Sequence, residues 1–260
     1  MKLKIERKIK DLRIGFCNVN YNPLKKPTKR HLAIAEEMID KTLDIVLWQE
    51  AFVSSKKVDQ LFEKSGYIKL SKKRIKFNKF GLVAFVKQEL HTLVSNKEYT
   101  KFDKQGNFYT LQASNHIANK GFQTIFFKDL NLAIINIHTS ATHRIKNPEN
   151  KTLISQHNQL TKYLKELCDK GYRILAMGDF NMPDKAKFSL QSYLEKGFVD
   201  ITKDILYTFK KKLRKWDLIE TRDRVFIFKE HLITCKNMQT LDFISKKYSD
   251  HQGLIVHINI

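Results

Sequence analysis

The sequence contains few of the residues that mark several common protein classes. Its 260 residues include three cysteines, Cys17, Cys168 and Cys235, which are widely spaced and form no CxxC pair. This argues against a disulfide scaffold or a zinc site and favours reduced thiols in a cytosolic protein. No apolar run is long enough to span a bilayer, and the basic N-terminus has no apolar signal region. We therefore expect a cytoplasmic protein without a transmembrane segment, and a monomer.

Proline and glycine are also scarce, with four and nine residues respectively. No Pro/Gly/Ser-rich linker and no internal repeat divides the chain, so we interpret residues 1–260 as one domain. Three catalytic or nucleotide-binding motifs are missing: the G-x-S-x-G elbow, the G-x-x-x-x-G-K-[ST] loop and a G-x-G-x-x-G turn after a strand. Their absence disfavours serine esterases, P-loop nucleotide hydrolases and dinucleotide-binding enzymes.

Acidic residues are fewer than basic ones. There are 48 Lys and Arg against 27 Asp and Glu, which gives a formal net charge of +21. Such an excess attracts polyanions, of which nucleic acid is the commonest. The alternative explanation is a lysine-rich proteome, and the large excess of Lys over Arg is compatible with it.

Apolar runs spaced over the whole chain predict nine strands. They are rich in Ile, Val and Phe, and they cover residues 12–20, 44–50, 81–87, 121–127, 130–139, 172–180, 224–229, 240–245 and 253–260. Helical patterns lie between them at 28–41, with Thr28 as the N-cap, at 54–66, and at 147–171, with Gly171 after the C-terminus. Strands that mostly follow one another, with helices in between, indicate two sheets packed face to face and helices outside.

Polar side chains occur where these apolar runs stop. If neighbouring strands of the two sheets end at one rim, these side chains converge in a single cleft; they are Asn18, Glu50, His138, Asp179, Asn181, Asp250 and His251. Carboxylate and amide oxygens suit Mg²⁺, or Mn²⁺, better than zinc or copper. A hard cation beside imidazole groups is an arrangement that can catalyse the hydrolysis of phosphate esters.

Five short blocks in this order resemble the endonuclease/exonuclease/phosphatase superfamily, whose fold is that of pancreatic deoxyribonuclease. The blocks are CNV, WQE, NIH, GDFN and SDH, and the resemblance runs from Arg13 to Ile258. It implies a four-layer α/β/β/α sandwich of two packed, mainly antiparallel sheets flanked by helices. It also implies a Mg²⁺-dependent phosphodiester hydrolase that directs in-line attack of water on phosphorus.

The resemblance implies a role for each matching residue. Glu50 would be the principal metal ligand, with Asn18 close to it and Asp250 in support. Asp179 would orient or deprotonate the attacking water, and Asn181 would hold a phosphate oxygen. His138 and His251 would bind the phosphate and assist proton transfer, with the division of proton work between Asp179 and His251 left open.

Two further assignments are less direct. A catalytic histidine needs a carboxylate on its other nitrogen, and Asp223 and Asp242 both precede His251. We favour Asp223, because Asp242 leaves little chain for a strand and its return. Lys120, with Asn119 beside it, would touch the scissile phosphate; the alternative is a surface lysine beside a turn glycine.

The substrate is the least determined property. Basic segments at 71–79 and 209–216 interleave Lys and Arg with aromatic residues, a pattern typical of nucleic-acid binding. We therefore expect a nuclease acting on DNA or RNA. The alternative is a sphingomyelinase-like phospholipid phosphodiesterase or a phosphoinositide phosphatase, since QEAF and NKGF are similar to blocks in bacterial sphingomyelinases and a basic surface also binds anionic phospholipid. A third hypothesis is a nucleic-acid-binding module without catalysis.

Overall fold

The computed structural model describes residues 11–20, 27–52, 55–70, 81–104, 119–141, 151–183, 186–212, 217–231 and 233–260. Its helices are α1 (Pro27–Asp40), α2 (Lys56–Lys64), α3 (Gln88–His91), α4 (Lys151–Asp169) and α5 (Lys187–Leu194), and a 3₁₀ turn covers Lys128–Leu130. Its strands are β1 (Asp11–Asn18), β2 (Ile45–Gln49), β3 (Tyr67–Lys69), β4 (Val83–Lys87), β5 (Asn96–Lys101), β6 (Gly121–Phe127), β7 (Leu132–His138), β8 (Arg173–Asp179), β9 (Phe198–Asp200), β10 (Phe209–Lys212), β11 (Asp217–Glu220), β12 (Asp223–Phe228), β13 (Thr234–Leu241) and β14 (Gly253–Asn259).

The strands form two six-stranded sheets and one hairpin. The first sheet has the order β13-β14-β1-β2-β4-β3, the second has the order β5-β6-β7-β8-β12-β9, and β10 pairs with β11. Strand β1 runs parallel to β2, and β7 runs parallel to β8. The other described pairs are antiparallel. The predicted pair of mainly antiparallel sheets is therefore confirmed.

Three apolar cores separate four layers. Strand β7 is buried along its whole length and shows how this arises. Its Leu132 and Ile134 belong to the core between the sheets, whereas Ile135 and Ile137 belong to the core under α4 and α5. A third core lies between the first sheet and helices α1 and α2. A strand that is buried on both faces reads as a continuous apolar run, because successive side chains point to opposite faces.

Three helices, α1, α2 and α4, lie where helical patterns were predicted, whereas α3 and α5 were not predicted. Gly171 ends α4 with a φ of +85°, and the amide of Tyr172 donates to the carbonyl of Leu167 at 3.1 Å, as expected of a glycine-terminated helix. Helix α1 begins at Pro27, so Thr28 lies inside its first turn and the predicted N-cap is wrong. Among the described residues, no helix has the length and apolarity needed to cross a membrane.

The strand predicted at 240–245 is wrong in its position. Strand β13 ends at Leu241, and the chain then turns. The side chain of Asp242 accepts a hydrogen bond from the Ser245 amide at 3.1 Å, which stabilises a turn. Phe243 is fully buried in the core under α1 and α2. Its apolar character therefore reflects a side chain that fills this core from a turn rather than from a strand.

A buried amide pair ties the two sheets together. The Nε2 of Gln49 in β2 donates to the Oδ1 of Asn136 in β7 at 2.6 Å. The Nδ2 of Asn136 donates to the carbonyls of Trp48 and Val83 at 3.2 and 3.3 Å. Both amide side chains have no exposed surface. Hydrogen bonds in such a dry position fix the register between the sheets, because a slipped arrangement would leave polar groups unpaired.

We expect Asn136→Ala to lower the free energy of unfolding by about 1–3 kcal/mol, because it leaves the Gln49 amide and two backbone carbonyls without their partner. Urea unfolding measures the change. The matched control is Asn237→Ala on the exposed face of β13, which should change stability by less than about 0.5 kcal/mol. Equal effects of the two variants would contradict a role for Asn136 in holding the sheets.

Candidate active site

The two parallel strand pairs place predicted site residues at the same edge of the molecule. In the first sheet, Asn18 at the end of β1 lies opposite Gln49, and Glu50 follows directly. In the second sheet, His138 at the end of β7 lies opposite Asp179 at the end of β8. Parallel neighbours end at a common edge, so each sheet brings two polar side chains together. The Nδ2 of Asn18 donates to the Oδ2 of Asp179 at 2.9 Å, which joins the two edges.

The antiparallel neighbours add residues that precede or begin a strand. Asp223 begins β12 and lies opposite Asp179. Gly121 begins β6 and lies opposite His138, so Lys120 enters the same region from just before that strand. An antiparallel strand starts where its partner ends. The chain positions that are far apart in sequence therefore meet at one rim.

His138 lies at the centre of this cluster. Its Nε2 is 3.5 Å from the Oε1 of Glu50, 3.6 Å from the Oδ2 of Asp179 and 2.6 Å from the Nζ of Lys120. The carboxylates of Glu50 and Asp179 therefore open onto one cleft. Burial, with the nearby Lys120 charge, holds the pKa of His138 well below its ordinary value, so this imidazole is neutral. Burial also lowers the pKa of Lys120, although Glu50 and Asp179 oppose that shift.

Glu50 has an unusual backbone conformation. Its φ of +57° lies in the left-handed region, which is uncommon for a residue with a side chain. The following amide, that of Ala51, donates to the carbonyl of Gly81 at 2.8 Å and holds the turn. Such conformations persist where the surrounding structure imposes them, and they cluster at functional sites. Burial raises the pKa of Glu50, Lys120 opposes the shift, and the charges of Asp250 and Asp179 add to it.

The GDFN block forms a tight turn at the end of β8. Gly178 has a φ of +138°, and a Cβ at this position would lie 2.3 Å from the carbonyl oxygen of Ile137, so a side chain is excluded. The Oδ1 of Asp179 accepts a hydrogen bond from the Asn181 amide at 2.9 Å. Phe180 points the other way and is fully buried in the core under α4 and α5. The turn therefore presents two polar side chains to the rim and one aromatic ring to the core.

Asp179 stays ionised despite its burial. Burial alone would raise its pKa, but the positive charge of His251 and the hydrogen bond from Asn18 contribute to holding the pKa below the ordinary value. An ionised carboxylate in this position can accept a proton from, or orient, a water molecule.

His251 pairs with Asp223. The Nδ1 of His251 lies 2.8 Å from the Oδ2 of Asp223, and its Nε2 lies 3.9 Å from the Oδ2 of Asp179. Burial opposes the charged imidazolium, but Asp223 and Asp179 outweigh it and raise the pKa of His251 to about 10. Asp242, the other candidate partner, is exposed and bonds to Ser245 instead. The geometry agrees with the choice of Asp223.

The two-sheet architecture is shared with solved structures of low sequence identity. TDP2 from C. elegans superposes with a TM-score of 0.68 at 14% identity, covering 96% of this chain and 75% of that one. D. rerio TDP2 complexed with a single-strand DNA product gives 0.64 at 15%, covering 96% and 99%. An endonuclease/exonuclease/phosphatase family protein from Leptotrichia buccalis gives 0.65 at 18%, covering 96% and 100%. The chain has the endonuclease/exonuclease/phosphatase fold. No family model and no curated protein sequence matches it.

Two predicted site residues, Asp250 and Asn119, lie at the margin of the cleft. Asp250 is half-buried, and its backbone carbonyl accepts a hydrogen bond from the Lys210 amide at 2.9 Å. Its charge acts on Glu50 and on His251. Asn119 is half-buried and directly precedes Lys120. The structure thus brings eight of the ten predicted residues into the centre of the cleft and these two to its border.

Two residues of the cleft were not anticipated from the sequence. The Oγ of Ser249 donates to the carbonyl of Asn18 at 2.6 Å and accepts the His251 amide at 3.1 Å, so it joins the end of β1 to the histidine. The Nη1 of Arg222 donates to the Oδ1 of Asn181 at 3.3 Å. Ser249 belongs to the SDH block and could have been included. Arg222 had no signal other than its place beside Asp223 in a lysine-rich chain.

The residues of this cleft suit a divalent metal ion. Asp179, Asp223 and His251 offer three ligand atoms within 4.8 Å of one another. His251, however, is protonated and its Nδ1 engages Asp223, so it has no free lone pair for a metal. Burial raises the pKa of Glu50, and the repulsion from Asp250 and Asp179 adds to this shift although Lys120 opposes it. A cation beside Glu50 would relieve this repulsion, and oxygen donors favour Mg²⁺ or Mn²⁺.

We expect Asp223→Asn to lower the turnover of phosphodiester hydrolysis by about a hundredfold or more, because an amide cannot balance the His251 imidazolium. Asp242→Asn is the matched control and should leave turnover within about twofold. Steady-state kinetics under saturating substrate measure both. The reverse pattern would mean that Asp242, rather than Asp223, supports the histidine.

Proposed function

We propose that this protein is a divalent-metal-dependent phosphodiester hydrolase that acts on nucleic acid. The observation that carries the proposal is the arrangement around the Nε2 of His138, where Glu50, Asp179 and Lys120 approach to between 2.6 and 3.6 Å. Anionic oxygens that can hold a cation thereby adjoin the Lys120 ammonium, a cationic donor that can hold a phosphate. The His251–Asp223 pair next to Asp179 supports proton transfer at the same place.

The proposed roles follow from the charge states. Glu50, with Asn18 and Asp250, holds the metal ion, and Mg²⁺ bound there would offset the negative charge that develops on the phosphoryl oxygens. Asp179, which is ionised, orients the attacking water for in-line displacement. The remaining groups bind the phosphate oxygens or handle protons; they are His138, Lys120, Asn119, Asn181 and His251.

Either Asp179 or His251 can take part in the proton transfers. Asp179 has the basic form needed to accept the proton of the water, because its pKa is held below the ordinary value. His251 has the acidic form needed to protonate the leaving oxygen, because its pKa is raised to about 10. The hydrogen bond to Asp223 fixes the ring so that the Nε2 proton faces Asp179 and the cleft.

Three observations support nucleic acid as the substrate class. The formal net charge is +21, and D. rerio TDP2, which shares the fold, is complexed with a single-strand DNA product. The basic strand β10 also begins at the cleft, because Phe209 bridges to His251 and the Lys210 amide bonds to Asp250. The other basic segment, residues 71–79, lies outside the described residues.

A phospholipid diester is the second candidate substrate. Two apolar side chains near the β10–β11 hairpin are exposed, Leu206 at 92% and Ile219 at 50%. Ile219 lies opposite Lys210 in that hairpin. Apolar side chains next to lysines are typical of surfaces that bind anionic membranes.

We expect Glu50→Gln to reduce Mg²⁺-dependent hydrolysis by about a hundredfold to a thousandfold, because it removes one anionic metal ligand at little change in size. Turnover as a function of Mg²⁺ concentration measures the effect. Glu36→Gln, on the exposed face of α1, is the matched control and should behave as the parent protein does. Unchanged turnover in Glu50→Gln, with Mg²⁺ still required, would remove Glu50 from the metal site.

The substrate class is tested by incubating the protein with Mg²⁺ and, in parallel, single- and double-stranded DNA, RNA, sphingomyelin and a phosphoinositide. We expect cleavage of at least one nucleic acid and none of the lipids. Cleavage of a lipid alone would overturn the nucleic-acid assignment and leave the hydrolase assignment standing. If none of the substrates is cleaved with either Mg²⁺ or Mn²⁺, the hydrolase proposal is wrong.

A further inference from the structure

The carboxamide of Asn181 has only one chemically acceptable orientation. Its Oδ1 lies 3.3 Å from the Nη1 of Arg222, and its Nδ2 lies 3.1 Å from the carbonyl oxygen of Thr139. A guanidinium group can only donate hydrogen bonds, and a carbonyl can only accept them. The oxygen must therefore face Arg222, and the nitrogen must face Thr139. One hydrogen of Nδ2 is used by Thr139, and the second is the donor that Asn181 has for a further acceptor.

Arg222 is itself held in a fixed position. Its Nε donates to the Oε2 of Glu220 at 2.7 Å, and its guanidinium carbon lies 4.0 Å from the centre of the Phe209 ring. The Phe209 ring in turn packs edge-on against His251, with 4.9 Å between the ring centres. The Arg222 side chain is only 3% exposed. A buried cation that is paired and stacked in this way can impose an orientation on a neighbouring amide.

We propose that Arg222 is a positioning residue for phosphate recognition: it fixes the Asn181 amide so that the second Nδ2 hydrogen is offered to a phosphate oxygen. This inference rests on the proposed function, because it assigns a substrate phosphate to Asn181. Arg222 acts through Asn181 rather than on the substrate, since its guanidinium group is engaged by Glu220, the Phe209 ring and Asn181. In its absence only the Thr139 carbonyl opposes rotation of the amide, and a rotated amide presents Oδ1, an acceptor, to an anionic phosphate oxygen, which is repulsive.

A double-mutant cycle separates this role from general support of the fold. The variants are Arg222→Met, Asn181→Ala and the two combined, assayed with Mg²⁺ on a fluorescent single-stranded DNA oligonucleotide. We expect Arg222→Met alone to lower kcat/KM by about tenfold to a hundredfold, and by less than about threefold when Asn181 is already Ala. Losses that simply multiply in the double variant would overturn the inference.

Two further variants act as controls. Arg173→Met removes a half-buried arginine that begins β8, at the end of the strand remote from Asn181, where its Nη2 donates to the carbonyl of Leu130. We expect it to lower stability and to have the same effect on kcat/KM in both Asn181 backgrounds. Arg222→Lys keeps the charge but not the planar fork that contacts Glu220 and Asn181 together. Full activity in Arg222→Lys would mean that charge alone suffices, and this would contradict positioning.

A readout without turnover keeps the inference separate from the proposed function. In nitrogen-15 NMR spectra, the side-chain amide protons of Asn181 should exchange with solvent at least about tenfold faster in Arg222→Met than in the parent protein, because only the Thr139 carbonyl then holds the amide. Arg173→Met should not change this rate. Unaltered exchange in Arg222→Met would overturn the inference even if the enzyme is active. Faster exchange without any hydrolysis by the parent protein would support positioning and refute the hydrolase.

Discussion

The face-to-face packing of two parallel strand pairs is the constraint on which the rest of this structure depends. Strands β1 and β2 at the centre of one sheet, and β7 and β8 at the centre of the other, end at the same edge. The buried amide pair of Gln49 and Asn136 fixes the two sheets to each other just below that edge. The residues that end or directly follow these strands therefore meet, and no additional helix or strand is needed to bring them together.

The charges at this edge balance one another in a largely dry environment. Asp179 lies between Asn18, which donates to it, and the imidazolium of His251. His251 is stabilised by Asp223 on its other nitrogen. Buried charges are tolerated only when they are paired or hydrogen-bonded, because isolated ones lose too much hydration energy. Glu50 departs from this balance, since burial together with the charges of Asp250 and Asp179 raises its pKa in spite of Lys120 and His251, and this departure is the electrostatic reason to expect a cation there.

Much of the fold followed from local patterns, and the exceptions have physical causes. The predicted runs that became β1, β2, β4, β6, β7, β8, β12 and β14 are apolar and lie largely in the two sheets' interior. Strands such as β5 and β13 were missed, wholly or in large part, because an exposed edge strand carries little apolar signal. The apolar run at 240–245 led to the opposite error, because a strand was predicted where the chain turns. Phe243 fills a core from that turn. An apolar run indicates that its side chains are buried, and burial alone does not distinguish a strand from a turn.

The sequence by itself determined which side chains could carry the chemistry, since each predicted site residue lies at or beside the end of an apolar run. Only the tertiary structure decided between Asp223 and Asp242 as the neighbour of His251, and only it brought Arg222 and Ser249 to the cleft. The physical reason is that the apolar patterns of strands and helices are local and periodic in the sequence, whereas a distance of about 3 Å between side chains depends on how two whole sheets pack.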